Sequence, residues 1–303
     1  MTPPAPVTPP APVTPPAPVP TEPFPLTWLY VPGDRPRVVT KALASGADVV
    51  LVDLEDAVAP DRKEYARTAT AELLAEPPLV PVHVRVNALS TPLAAADLTA
   101  LAPLPGLSGL RLPKVTSPAE VVHVAEGFAP AEGGAIPLYA LLESALGVER
   151  AYAVATSHPS LKGITLGEAD LRADLGVRSD TALDWPRSRV VLAARAASLP
   201  PPAQSMHPDT KDLDGLARSC DHGRALGFLG RTAIHPRQLP VIERAYLPTQ
   251  EEIEAAEGIV QAAAKEPGAQ ALPDGRFIDA AVVASAHRTL SLARRAASSP
   301  SGV

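Results

Sequence analysis

Short apolar runs alternate with Ala-rich amphipathic stretches along this chain, and nothing else in it limits the fold so strongly. The runs read LTWLYV (26–31), VVLVD (49–53), VPVHVRV (80–86), GLRLPK (109–114), IPLYALLE (136–143), KGITLG (162–167), PAQSMH (202–207) and LGRTAIH (229–235). Between them lie helical patterns such as RPRVVTKALASG (35–46), RKEYARTATAELLA (62–75), SPAEVVHVAEGF (117–128) and LDGLARSCDHGRALG (213–227). Gly46, Gly127 and Gly227 stand at expected helix C-caps, and Ser117-Pro118 at an expected helix start. Strand and helix in alternation imply a parallel sheet covered by helices. Eight such units predict an α/β fold of the (β/α)8 TIM-barrel type. A doubly wound open sheet is the competing architecture. No G-x-G-x-x-G follows the first strand, so its dinucleotide-binding version has no local support.

The strand ends carry the chemistry. VVLVD runs straight into Asp53, Glu55 and Asp56. A carboxylate taken from water without a partner is costly, so these acids belong where the strand emerges from the core. Arg85 and Asn87 end the third strand, Lys114 the fourth and Glu143 the fifth. Glu168 and Asp170 follow the sixth, His207 and Asp209 the seventh, and His235 ends the eighth. In a barrel these positions share the C-terminal face, where active sites are built.

The rest of the chain narrows the class. Residues 2–19 are TPPAPV three times over, and Glu22 is the only charge in the first 25 residues. A stretch so rich in proline is expected to be an extended, disordered tail (1–25) outside the fold, without the basic start or apolar stretch of a signal peptide. The barrel is expected over 26–250 and a C-terminal helical extension over 251–303. A net charge of −6 gives no basic excess for nucleic acid. No apolar run is long enough to span a membrane. The single Cys220 excludes an internal disulfide and fits a cytoplasmic compartment; it reads as an inert helix residue.

Seven segments, in order, also resemble one family. They are LYVPGDRP, LVDLEDAVAPDRK, VRVN, LPK, LLESALGV, LGEADL and AIHPRQ, and the similarity runs from about Leu26 to Asp279. The chain resembles the citrate lyase β-subunit-like proteins of the HpcH/HpaI aldolase and citrate lyase superfamily. That resemblance implies a Mg2+-dependent TIM barrel, commonly a homotrimer, that makes or breaks C–C bonds in short acyl-CoA esters. It implies Glu143 and Asp170 as metal ligands, with Glu143 also beside the substrate, and Arg85 on a substrate carbonyl or carboxylate oxygen. It places Asp279, in DGRFID (274–279), as an acid/base that reaches the neighbouring subunit's site. Asp53, Glu55, Asp56, Lys114 and Glu168 are expected to support this set, by orienting Arg85 or holding metal-bound water; Lys114 could instead contact CoA phosphates.

The residue types suit that chemistry. Mg2+ takes six oxygens, keeps several waters, and needs only one or two carboxylates beside the substrate's own oxygens. Each residue also has a plainer reading. Asp170 could merely open the helix DLRADLG, Arg85 could be an ion-pair partner of Asp53 or Glu55, and Asp279 could be a solvated acid. His207 and His235 have no second histidine at helical spacing and read as supporting residues, His235-Pro236 lining a CoA entrance.

The chain departs from the family pattern at three positions: Ala169 within Gly-Glu-Ala-Asp, Gln204 where many members carry an acid, and Ala281 in place of a proline. The reaction expected is cleavage or formation of a C–C bond between acetyl-CoA and a 2-oxo acid. A CoA-independent 2-oxo-acid aldolase, a malyl-CoA thioesterase and a non-catalytic subunit of a lyase complex are the alternatives.

Overall fold

The computed structural model describes residues 24–128, 134–265, 270–271, 275 and 277–298. Most of the expected tail, through residue 23, and Asp274 and Arg276 of the DGRFID segment lie outside them. The described residues form two compact units, Phe24–Pro248 and a second from Thr249 onward.

In the first unit seven strands form one parallel sheet: β1 (Thr27–Pro32), β2 (Val49–Asp53), β3 (Val82–Arg85), β4 (Leu107–Leu112), β5 (Leu138–Leu142), β6 (Leu161–Leu166) and β7 (Arg231–Ala233). Their order is β6-β5-β4-β3-β2-β1-β7, each strand beside its chain neighbour and β7 returning to β1. The helices α1 (Pro36–Leu43), α2 (Lys63–Leu74), α3 (Pro92–Leu101), α4 (Pro118–Gly127), α5 (Ala145–Glu149), α6 (Ala151–Ala155), α7 (Glu168–Leu175), α8 (Asp184–Ala196), α9 (Leu213–Ala225) and α10 (Leu239–Tyr246) follow the strands. This is a TIM-barrel fold with one weak stave.

That stave is the expected seventh strand, 202–207. It makes a single parallel bridge, Gln204 to Arg231, through Gln204 N–H to Gly230 O (2.9 Å) and Thr232 N–H to Gln204 O (3.0 Å). Pro200, Pro201 and Pro208 flank the segment and Pro202 opens it; none carries an N–H, which disfavours a longer ladder there. Of the helix caps, Ser117 opens α4 with its N–H on Glu120 Oε2 (2.8 Å). Gly227 takes positive φ just past α9, whereas Gly127 is still inside α4.

The strand register sorts side chains to two sides. Val31, Val52, Val84, Leu110, Leu138 and Leu161 pair across neighbouring strands, are all buried, and belong to the main hydrophobic cluster with the helices. The next rung is Pro32, Asp53, Arg85, Arg111, Tyr139 and Gly163. A period of two puts this whole polar rung on the opposite face, inside the barrel. In the second unit α11 (Gln250–Lys265) packs on α12 (Ala280–Ser298), beside a short antiparallel pair, β8 (Gln270–Ala271) and β9 (Phe277–Ile278). Among the described residues no helix is long and apolar enough to cross a membrane.

Candidate active site

A cavity of about 780 Å3 opens over the C-terminal ends of the strands; Arg85, Glu143, Asp170, Asp53 and His235 are among its lining residues. Asp53 organises one side of it. Its Oδ1 accepts from Glu55 N–H (2.9 Å) and Arg85 Nε (2.7 Å), its Oδ2 from Ala57 N–H (3.0 Å) and Arg85 Nη2 (2.7 Å). The acid that ends β2 therefore folds its own loop and fixes a two-pronged arginine fork. Lys63 of α2 ties the same loop down, donating to Leu54 O and Glu55 O at 2.7 and 2.6 Å.

Glu55 is buried, and Lys114 Nζ donates to its Oε1 at 2.7 Å. Arg85 Nη1 stands 3.1 Å from Glu55 Oε2, yet that oxygen receives no hydrogen bond because the N–H is misaligned. It has a counter-charge without a donor. Burial raises the Glu55 carboxyl despite the Arg85 and Lys114 charges. Asp56 is half exposed and completes the cluster 3.8 Å from Arg85 and 3.4 Å from Lys114.

Lys114 serves Glu143 by its backbone. Its φ of +55° is the left-handed region, uncommon for a residue with a Cβ, and in it the N–H donates to Glu143 Oε2 at 2.8 Å. Gly167 completes the cradle: a Cβ there would overlap the Glu143 carboxylate. Burial, and after it the Glu55 charge, push the Glu143 carboxyl up to about 7 against the opposing pull of Arg85 and the Lys114 N–H. Asp170, in the first turn of α7, lines the cavity and adds to the upward push. A buried carboxyl crowded by acids, beside a second carboxylate, fits a hard divalent cation, whose charge would stabilise the anion that burial disfavours. Among the described residues no group of three or more His, Cys, Asp or Glu side chains is arranged around a metal position. A pair of carboxylates is nevertheless enough for Mg2+, which keeps much of its water.

Glu168 lines the same cavity, but its carboxylate is already engaged. Both its oxygens are held by the buried Arg187, at 3.0 and 2.7 Å, and Arg187 also binds Asp180 and Asp184. Its tie here is to α8, and sequence pattern gave no hint of Arg187. Gln204 is a buried hub: its Oε1 accepts from Tyr246 Oη (2.6 Å) and Arg231 Nη1 (3.2 Å), and its Nε2 donates to Ser219 O (3.0 Å). An amide both donates and accepts there, which a carboxylate could not do.

His235 Nδ1 accepts from Arg237 N–H and caps the turn after β7, at the cavity wall. Asn87 is held by Asp97, which Arg67 also binds. Cys220 lies buried in α9, its thiol raised by burial. Asp279 stands in the second unit and caps α12, accepting from Ala281 and Val282 N–H at 2.9 Å each.

Two arginine sites differ in how readable they were. Arg85 ends a strand with a polar neighbour. Arg111 sits inside an apolar run, one residue before the Leu-Pro-Lys turn; only the period-two register, which puts it on the polar rung, could have flagged it.

Comparison with known proteins places the family. Residues 26–236 match the HpcH/HpaI aldolase/citrate lyase family, and residues 191–287 a C–C bond lyase family of the TIM-barrel fold. A (3S)-malyl-CoA thioesterase of Cereibacter sphaeroides is 35% identical over 88% of this chain and 93% of its own length. A citrate lyase subunit beta-like protein of Mycobacterium tuberculosis is 36% identical over 89% and 96%. The crystal structure of CitE from that organism, in complex with magnesium, acetoacetate and coenzyme A, superposes with a TM-score of 0.76 at 34% identity, covering 90% of this chain and 99% of that one. With the polar ring at its strand ends and more than half its length matched, the chain belongs to the HpcH/HpaI aldolase/citrate lyase family.

Proposed function

We propose that this protein is a Mg2+-dependent carbon–carbon lyase of short 3-hydroxyacyl-CoA esters, of the citryl-, malyl- or citramalyl-CoA type. The observation that carries the reading is the buried Glu143 carboxylate, cradled by the Lys114 N–H and Gly167, on a cavity wall that Asp170 and Arg85 also line. Glu143 and Asp170 would hold the cation. Bound there, it supplies Lewis-acid stabilisation to the oxygens of a 2-oxo or 2-hydroxy acid.

The protein's own groups do the rest. Asp53 keeps Arg85 fixed, so its charge faces the reacting oxygens without reorganising. Glu55 and Lys114 hold that charge pattern in place. In the cleavage direction a carboxylate base takes the hydroxyl proton, and the O–H electrons form the carbonyl of the 2-oxo acid. The C–C bond breaks, and its electron pair becomes the acetyl-CoA enolate, to which the same acid/base returns the proton at carbon. Asp279 of a neighbouring copy, in a homotrimer, is the acid/base we assign to that step.

A thioesterase is the second reading, favoured by the identity to the malyl-CoA thioesterase. There water attacks the thioester and the C–C bond survives. Incubating the purified protein with malyl-, citramalyl- and citryl-CoA, with Mg2+ or EDTA, separates the two. Acetyl-CoA plus a 2-oxo acid, lost with EDTA, supports the lyase. Free CoA with the hydroxy acid intact supports the thioesterase.

A further inference from the structure

Arg111 has the same type and rung as Arg85, its cross-strand partner, and the opposite treatment. Arg85 is ion-paired to Asp53 and Glu55. Arg111 is 2% exposed and, among the described residues, has no carboxylate within ion-pair distance; its Nε has no partner. Its guanidinium lies 4.5 Å from the centre of the Tyr139 ring and 5.9 Å from that of Trp28. His83 stacks on the same Tyr139 at 4.7 Å, in room left by Gly109, where a Cβ would collide with both rings. Trp28 Nε1, which can only donate, is also buried without a partner. Ring faces attract a guanidinium but do not replace a counter-charge. Arg111 nevertheless lines the cavity, so its free positive charge faces the space where a substrate would sit.

We infer that Arg111 is a substrate-positioning residue that binds a second carboxylate of the acid, making a dicarboxylic 2-oxo acid the preferred acid partner. This rests on the lyase reading above, in which Glu143, Asp170 and Arg85 engage the first carboxylate and the adjacent oxo group. The second carboxylate reaches inward to a cation that, among the described residues, no carboxylate neutralises. A monocarboxylic acid leaves that cation unpaired, which is a strong basis for discrimination.

The test is calorimetric binding of oxaloacetate and of pyruvate to the Mg2+-loaded protein, for the wild type, Arg111→Met and Arg111→Gln. The wild type should bind oxaloacetate tighter by on the order of tenfold or more, as expected for a charge-assisted pair. Both variants should lose that preference, mostly by weaker oxaloacetate binding. Without ligand, Arg111→Met should melt no lower than the wild type, because an unpaired buried cation adds no stability. Retained preference in either variant, or a ligand-free melting point well below wild type in both, overturns the assignment. A wild type that cleaves a CoA ester but binds the two acids equally overturns it while leaving the lyase reading standing. Binding of neither acid, with no cleavage, overturns both.

Discussion

The β2–β3 side of the barrel mouth and the β4–β5 side of its interior each bury an arginine, and they are built on opposite principles. On the first, Asp53 takes the Arg85 fork, Glu55 and Asp56 add negative charge, and Lys63 and Lys114 balance the acids. On the second, Arg111 has two aromatic faces and, among the described residues, no acid within ion-pair distance. A buried charge whose partners are internal contributes to the folded state; one without them is tolerated at a cost and gains its partner from outside. The first side is thus scaffold as well as site. The second is available to a ligand.

Removing the internal partner should break this contrast most sharply. Asp53→Ala strands Arg85 and unties the loop after β2. It should cost about 3–5 kcal/mol, read as a lower urea midpoint. Glu143→Gln comes next for function: a cation ligand is lost, and Mg2+-dependent turnover should fall by roughly a hundredfold or more with the fold intact. Wild-type turnover in this variant would sink the ligand assignment.

The same residue sets a pH dependence. Its ordinary value is 4.5 and its folded value about 7, so between these the folded state holds more protons than the unfolded. The stabilisation is complete below about 4.5 and lost as pH rises through about 7, on the order of 3 kcal/mol. Glu55, also raised by burial, acts in the same direction. Urea midpoints in EDTA should therefore fall between pH 5 and pH 8, recover at pH 8 with Mg2+, and change less in Glu143→Gln. Lys114→Met should matter least for stability. Its side chain is 42% exposed, the backbone N–H to Glu143 survives, and the loss should stay below about 1 kcal/mol. A larger loss would mean that the Glu55–Lys114 contact matters more than its exposure allows.

Much of the candidate site was legible because its residues sit at strand ends, where polarity interrupts an apolar run. Asp53, Arg85, Glu143 and Asp170 all gather at one cavity as that reading requires. Glu168 was legible as a strand-end acid but not as the partner of Arg187, which comes from α8. The seventh strand was overread, because PAQSMH looked like the other runs while the flanking prolines left it few donors. Gln204 stood out only as a departure from an acid, and its tie to Tyr246 of α10 could not be read from a neighbouring residue.

By itself the sequence determined the barrel, through the period of its apolar runs, and the polar ring, through the places where those runs stop. Only the tertiary structure decided which charges neutralise one another. Asp53 and Arg85 are 32 residues apart, and Lys114 and Glu55 are 59 apart. Coulombic pairing depends on separation in space and on burial, and neither is written in the local order of residues. For that reason nothing in the order of residues around Arg85 or Arg111 says that Arg85 is paired while Arg111, among the described residues, has no carboxylate partner.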